Sequence, residues 1–193
     1  MSLEAFLVSA SVVALAEMGD KTQLLAFVLA AKLKRKLPIV LGILAATLAN
    51  HFLAGWVGVW LASLLSPATL KWIVALSFFA FGAWALKPDK LDDGPQLRAA
   101  GVFVTTLIAF FLVEMGDKTQ LATVALAARY DALAQVVLGT TLGMLIANVP
   151  AVWLGEALCR RVNMAAMRWV AAALFVALGV LTLAAGDDLA AAG

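Results

Sequence analysis

Long apolar segments make up most of this chain and determine the solvent in which it folds. Six segments are each long and apolar enough to form a membrane-spanning helix: residues 3–31, 38–65, 69–87, 99–128, 132–158 and 165–186. A hydrocarbon core of about 30 Å needs roughly 20 helical residues. Only 13% of the residues are charged, compared with about 25% in soluble domains. The sequence therefore predicts an all-α membrane protein with six transmembrane helices.

The octapeptide EMGDKTQL occurs twice, at residues 17–24 and 114–121. The offset of 97 residues also aligns rarer residues without gaps, including Trp56 with Trp153, Trp72 with Trp169, and Gly82 with Gly179. Matches of this kind in one register indicate an internal duplication. We predict a first three-helix repeat over residues 1–88, a linker over 89–98 and a second three-helix repeat over 99–193.

An odd number of crossings in each repeat predicts that the second repeat is inverted relative to the first. Of the fourteen lysines and arginines, two lie in the octapeptides; ten of the other twelve then fall on one face and only Lys71 and Arg129 on the other. Positively charged loops stay in the cytoplasm, so the linker is predicted to be cytoplasmic and both termini lie outside. Inverted repeats are typical of secondary transporters, whose sites lie near the membrane midplane. The sequence therefore favours a transporter or a channel.

The acids of the octapeptide fall near the middle of their predicted helices, where a charge is costly unless it meets a partner or water. In a continuous helix, Asp20 and Lys21 lie on the same side as Glu17, and Asp117 and Lys118 lie beside Glu114 in the same way. The intervening Gly19 and Gly116 would allow close helix packing or an opening of the helix. Mid-membrane acids of this kind are candidates for a functional site.

If the two octapeptides meet, they collect four carboxylates (Glu17, Asp20, Glu114 and Asp117) and two ammonium groups (Lys21 and Lys118), with a net charge of −2. One divalent cation would neutralise this cluster. Two protons could do so instead, because closely packed buried carboxylates share protons. The cluster therefore predicts exchange of a divalent cation for protons.

Oxygen ligands dominate the predicted site. Carboxylates, with further oxygens from Thr22, Gln23, Thr119 and Gln120, suit Mg²⁺, Ca²⁺ or Mn²⁺, and the presence of one histidine and one cysteine in the whole chain argues against Zn²⁺ or Cu⁺. His51 and Asn148 occupy equivalent positions under the 97-residue offset. They could add a ligand or carry protons, or simply form interhelical hydrogen bonds.

Two copies of Glu-x-Gly-Asp-Lys-Thr, each in the first helix of a three-helix unit, resemble the family of MneA-type manganese exporters, whose eukaryotic relatives are Golgi and chloroplast Ca²⁺/Mn²⁺ transporters. The resemblance implies a cation/proton antiporter without a resident cofactor, in which Glu17, Asp20, Glu114 and Asp117 bind the ion. The short chain is similar to bacterial members. This similarity implies an inner-membrane protein with periplasmic termini that exports Mn²⁺, or alternatively exchanges Ca²⁺ for protons.

Other functions stay open at the level of sequence. An exporter of small organic solutes such as basic amino acids can be built from inverted halves, and a channel would also use buried acids. A membrane enzyme is disfavoured because every arginine falls at a helix end. The expected partners are ions and the lipid bilayer, not nucleic acid, and the oligomeric state is undetermined.

Overall fold

The computed structural model describes residues 2–87, 101–154 and 163–190, and every regular element within these ranges is an α-helix. The helices are α1 (Ser2–Glu17), α2 (Lys21–Leu33), α3 (Lys36–Leu64), α4 (Pro67–Ala85), α5 (Val102–Glu114), α6 (Lys118–Tyr130), α7 (Leu133–Leu154) and α8 (Met164–Ala190). The linker predicted at residues 89–98 and the end of the span predicted at 132–158 lie outside the described residues.

Within the described ranges, four stretches of helix are long and apolar enough to cross a membrane: α3, α4, α7 and residues Ala165–Ala184 of α8. The all-α membrane class predicted from the sequence agrees with this result. The count of six spans and their inverted arrangement stay predictions, because the remaining apolar segments are divided into shorter helices.

Local sequence explains several helix ends. Ser66 precedes α4 and its hydroxyl accepts a hydrogen bond from the Thr69 amide at 3.3 Å, while Pro67 occupies the first turn, where its missing N–H costs nothing. Lys34 and Asp131 are the C-terminal cap residues that directly follow α2 and α6. Both adopt left-handed conformations, with φ of 54° and 46°. Such C-terminal caps stop a helix while pairing one of its last carbonyls.

The expectation of continuous helices over 3–31 and 99–128 is wrong at the octapeptides. Helix α1 ends at Glu17 and α2 begins at Lys21, and α5 and α6 are separated in the same way between Glu114 and Lys118. Gly19 and Gly116 adopt φ of 84° and 75°, a left-handed conformation that glycine tolerates without a Cβ clash. Each octapeptide therefore joins two helices instead of lying inside one.

The first half of the chain (residues 2–87) is interleaved with the second half (residues 101–190). Helix α1 packs along α7, α4 along α8, and α3 against α5 and α6. A Cβ atom on Gly42 of α3 would lie 2.9 Å from the Phe103 carbonyl oxygen of α5, and one on Gly139 of α7 would collide with the Phe6 carbonyl oxygen of α1. Because these contacts occur at positions related by the 97-residue offset, small residues bring the halves together in equivalent ways.

An aromatic cluster joins α4 to α8. The rings of Phe78 and Phe175 stack with centroids 6.4 Å apart, and Phe81 meets Phe175 edge-on at 5.9 Å. Phe78 and Phe175 are fully buried, and aromatic pairs in these geometries add stability beyond the area they bury. The two halves are thus also packed against each other through α4 and α8.

Candidate metal centre

The breaks at the two octapeptides place acids from both halves in one buried cluster. Glu17 and Glu114 are fully buried, and Asp20 and Asp117 are each 2% exposed. One carboxylate oxygen from each of Glu17, Glu114 and Asp117 lies within 4.8 Å of the other two. Three of the four acids that the sequence predicted would meet, Glu17, Glu114 and Asp117, are therefore close enough to share one cation, and Asp20 is not a member of this close group.

Two ion pairs cross between the halves. The Lys21 ammonium lies 3.0 Å from Asp117 Oδ1, and the Lys118 ammonium lies 2.7 Å from Asp20 Oδ2. The sequence placed each lysine beside the glutamate of its own helix, and this placement is wrong. The helix is interrupted between the glutamate and the lysine of each octapeptide, so the residue spacing of a continuous helix does not apply to them.

The two pairs differ in their access to solvent. The Lys118 side chain is 5% exposed and its partner Asp20 0%, whereas the Lys21 side chain is 22% exposed. Met115, which follows Glu114, is 57% exposed. The Lys118–Asp20 pair is therefore more deeply buried than the equivalent Lys21–Asp117 pair.

Asp20 also stabilises the local fold. It caps the N-terminus of α2, where its Oδ1 accepts a hydrogen bond from the Lys21 amide at 2.7 Å. A carboxylate at this position pairs an amide that the helix leaves unsatisfied and interacts favourably with the helix dipole. One carboxylate therefore begins a helix and, through its other oxygen, binds the lysine of the opposite half.

Neither glutamate forms a salt bridge with a lysine of the described residues. Thr22 donates a hydrogen bond to Glu17 Oε2, and Thr119 donates one to Glu114 Oε2 at 3.2 Å. The Oε1 atoms of both glutamates are buried without a hydrogen-bond partner among the described residues. Buried polar atoms are nearly always satisfied in native proteins. These two oxygens can therefore accept a cation or carry protons.

The side-chain oxygens of Gln23 and Gln120 accept hydrogen bonds from the backbone at the helix breaks and are not directed at the carboxylates. Gln23 Oε1 accepts a hydrogen bond from the Gly19 amide at 3.1 Å, and Gln120 Oε1 accepts one from Gly116 at 2.7 Å. Gln23 also donates to the Ala147 carbonyl of α7 at 2.9 Å. Sequence reasoning missed this role, although the four-residue spacing from glycine to glutamine occurs in both octapeptides.

His51 and Asn148 are fully buried. His51 is not a member of the group of close ligand atoms, and neither ring nitrogen has a hydrogen-bond partner within the described part of the chain. Asn148 donates to the Met144 carbonyl of its own helix at 3.0 Å. A role as metal ligands stays a prediction for these two residues.

A family model described as "Divalent cation/proton antiporter GDT1" matches residues 5–93 and 102–189, which is most of the chain. This chain belongs to the GDT1 family. The resemblance to MneA-type manganese exporters is thereby confirmed, and the GDT1 member described here is a transmembrane transporter of the antiporter type.

Relatives of this GDT1 member cover nearly all of its length. A protein named "Putative manganese exporter" from Vibrio cholerae is 49% identical over 176 residues, covering 91% of this chain and 88% of the relative. "GDT1-like protein 5" of Arabidopsis thaliana is 27% identical, covering 94% and 96%, and the protein of the same name in Oryza sativa subsp. japonica is 26% identical, covering 96% and 97%. No solved structure matches this chain.

Proposed function

We propose that this GDT1 member exports Mn²⁺ from the cytoplasm in exchange for protons, and that Glu17, Asp20, Glu114 and Asp117 form its ion site. Family membership supports cation/proton antiport, and the name of the Vibrio relative supports manganese. The observation that carries the proposal is the cluster of Glu17, Glu114 and Asp117 oxygens within 4.8 Å of one another, contributed by both halves of the chain.

The charges of the cluster give a reason for exchange. Each aspartate is paired with a lysine of the opposite half, so the two aspartates and two lysines cancel. The glutamates then leave a charge of −2 when both are ionised. A dication neutralises this charge, and so do two protons, but the same oxygens cannot bind both at once. Metal and protons therefore compete for the site, which is the requirement for antiport.

Alternating access follows from the proposed inversion of the two repeats. The equivalent contacts of Gly42 with Phe103 and of Gly139 with Phe6 support a two-fold relation between the halves. In transporters of this design, one repeat rocks against the other around a fixed midplane site. The distribution of basic residues supports a cytoplasmic linker and periplasmic termini, in the inner membrane of a bacterium.

The ligand chemistry alone does not select manganese. Carboxylate and hydroxyl oxygens bind Ca²⁺ as well as Mn²⁺, and thioether sulfur, which would favour Mn²⁺, is not supplied by the exposed Met115. Calcium/proton exchange is therefore the second candidate function, and the same assay must compare both ions.

The test is transport by the purified protein in proteoliposomes with a pH-sensitive dye inside. Mn²⁺ movement should be accompanied by counter-movement of protons, and E17Q and E114Q should abolish both, because each removes one of the two unpaired charges. E4Q is the matched control: Glu4 lies in the same helix as Glu17 but is exposed and accepts a hydrogen bond from Tyr130 at 3.3 Å, so this variant should transport normally.

Several outcomes would contradict the proposal. Wild-type rates in E17Q and E114Q would remove the glutamates from the site. Mn²⁺ flux that does not depend on a pH gradient would indicate a channel, and flux of a basic amino acid without any metal would indicate an organic solute exporter. Faster transport of Ca²⁺ than of Mn²⁺ would support the exchange mechanism but would make Ca²⁺ the substrate.

A further inference from the structure

A cleft lies beside the first octapeptide and opens toward the ends of α4 and α8. Its enclosed part is small, about 10 Å³, which is room for roughly one water molecule, and the rest of the cleft is open to the outside. Its walls come from five parts of the chain: the end of α1, the turn that follows it, the end of α4 with the residues after it, the start of α6 and the first turns of α8. Asp20 and Lys118 of the metal centre line it, and so do Lys87 and Arg168.

The charges of this cleft do not suit a cation. Lys118 is held by Asp20 at 2.7 Å, so these two side chains cancel. Lys87 is exposed and Arg168 half-buried, and neither forms a salt bridge with any residue in the described ranges. The cleft therefore carries two positive charges without compensation from the described residues.

Part of the cleft wall is apolar. Leu15, Ala16, Ala85 and Ala171 line it next to the two cations. A pair of basic side chains beside an apolar surface fits an amphiphile with a negatively charged head better than a fully hydrated ion. Basic pockets between transmembrane helices are a general means of binding lipid headgroups.

We propose that the cleft is a binding site for a phosphate group, carried by an anionic phospholipid, with Lys87 and Arg168 as its cationic contacts. Arginine binds phosphate through paired N–H groups and lysine through a point charge. The lipid source is favoured over free phosphate because apolar side chains adjoin the cations. This binding does not depend on the ion that the metal centre carries.

The site would also influence transport, an effect that rests on the proposed function. The positive charges of Lys87 and Arg168, which no described residue compensates, would repel a dication that approaches Asp20 through the cleft. A bound phosphate cancels this repulsion and raises the local concentration of cations, as fields in narrow clefts do. We therefore expect Mn²⁺ transport to depend on anionic lipid in the membrane.

Binding is tested first, by native mass spectrometry of the full-length protein with phosphatidylglycerol or phosphatidylcholine. Wild type should retain phosphatidylglycerol preferentially. The double variant K87Q/R168Q should bind it on the order of tenfold more weakly, because two basic contacts are lost. The matched control K32Q/R35Q removes one lysine and one arginine from exposed positions outside the cleft and should bind like wild type. K87R/R168K keeps both charges and should also retain the lipid.

Free phosphate is distinguished by competition. Inorganic phosphate that displaces phosphatidylglycerol at millimolar concentration would make the soluble anion the better occupant and overturn the assignment to lipid. Equal lipid binding by wild type and K87Q/R168Q would overturn the site itself. Equal losses in K87Q/R168Q and K32Q/R35Q would do the same, because they would reduce the effect to general surface charge.

Transport gives the second readout. In proteoliposomes, wild type should move Mn²⁺ several-fold faster when phosphatidylglycerol is added to phosphatidylcholine, and K87Q/R168Q should lose this dependence. If no preparation transports Mn²⁺ but the lipid binds as described, the proposed function fails and the lipid site stands. Transport that responds equally to lipid in wild type and K87Q/R168Q would refute the coupling.

Discussion

The unequal burial of the two ion pairs between the halves predicts unequal costs when each is broken. We compare K118Q, which leaves Asp20 without its lysine, with K21Q, which leaves Asp117 without its lysine. The two substitutions are chemically identical, and they occur at equivalent positions of the two octapeptides. Any difference between them therefore reports the environment that the fold gives each pair.

The expected magnitudes follow from the burial of the partners. Removing one member of a fully buried pair costs about 3–5 kcal/mol, because the other charge is left unpaired in a poorly polarisable environment. The Lys118–Asp20 pair meets this condition, with exposed fractions of 5% and 0%. Lys21 is 22% exposed, so water can replace part of what Asp117 loses, and we expect about 1–3 kcal/mol.

A second substitution separates charge from shape. K118Q/D20N removes both charges of the buried pair and should recover at least half of the loss caused by K118Q alone, because the carboxylate that lost its lysine is then neutral as well. Asparagine is also a good N-cap residue, so the start of α2 should be preserved in this variant.

The assay is reversible unfolding of the purified protein in mixed micelles by titration with sodium dodecyl sulfate, followed by fluorescence of the six tryptophans. The reasoning is refuted if K21Q destabilises the protein as much as K118Q does, or if adding D20N to K118Q increases the loss. Either result would mean that the ion pairs do not have the energies that their burial implies.

Two further predictions concern glycines and use the same unfolding assay. G42A should lower the free energy of unfolding by about 1–3 kcal/mol through overpacking, because its Cβ would lie 2.7 Å from Thr106 Cβ and 2.9 Å from the Phe103 carbonyl oxygen. G82A should lower it clearly less, because the nearest atom to its Cβ would be 3.2 Å away. Equal losses in the two variants would contradict the close approach of α3 and α5. Gly116 has φ of 75°, and a Cβ added there would have no atom within 4 Å. G116A should therefore lower the free energy of unfolding by about 1–2 kcal/mol from backbone strain alone, and G116N should lower it less, because asparagine tolerates the left-handed region. An Asn variant as unstable as the Ala variant would exclude backbone strain as the cause.

Much of the functional inference was accessible without coordinates. The length of each apolar segment, the position of acids within it and the identity of the two octapeptides are properties of the linear chain. Glu17, Asp20, Glu114 and Asp117 were selected because a charge in a long apolar segment must have a partner. The sum of charges on the two octapeptides, which suggested a dication, does not depend on how the side chains are paired.

The breaks in the helices could not be located from sequence in the same way. A single glycine inside an apolar segment fits a close helix crossing as well as a break, and only the backbone angles of Gly19 and Gly116 separate the two. The roles of Gln23 and Gln120 follow from these angles. Once the helix is open, the glycine amide is unpaired, and the glutamine four residues later is the nearest acceptor.

The sequence by itself determined which groups enter the membrane and what their total charge is, because hydropathy and charge are properties of composition along the chain. Only the tertiary structure decided that Lys21 binds Asp117 and Lys118 binds Asp20, leaving the two glutamates without a lysine. That choice depends on helices from different halves approaching within a few ångströms. Contacts between residues almost a hundred positions apart along the chain arise from packing, which no local pattern in the chain encodes.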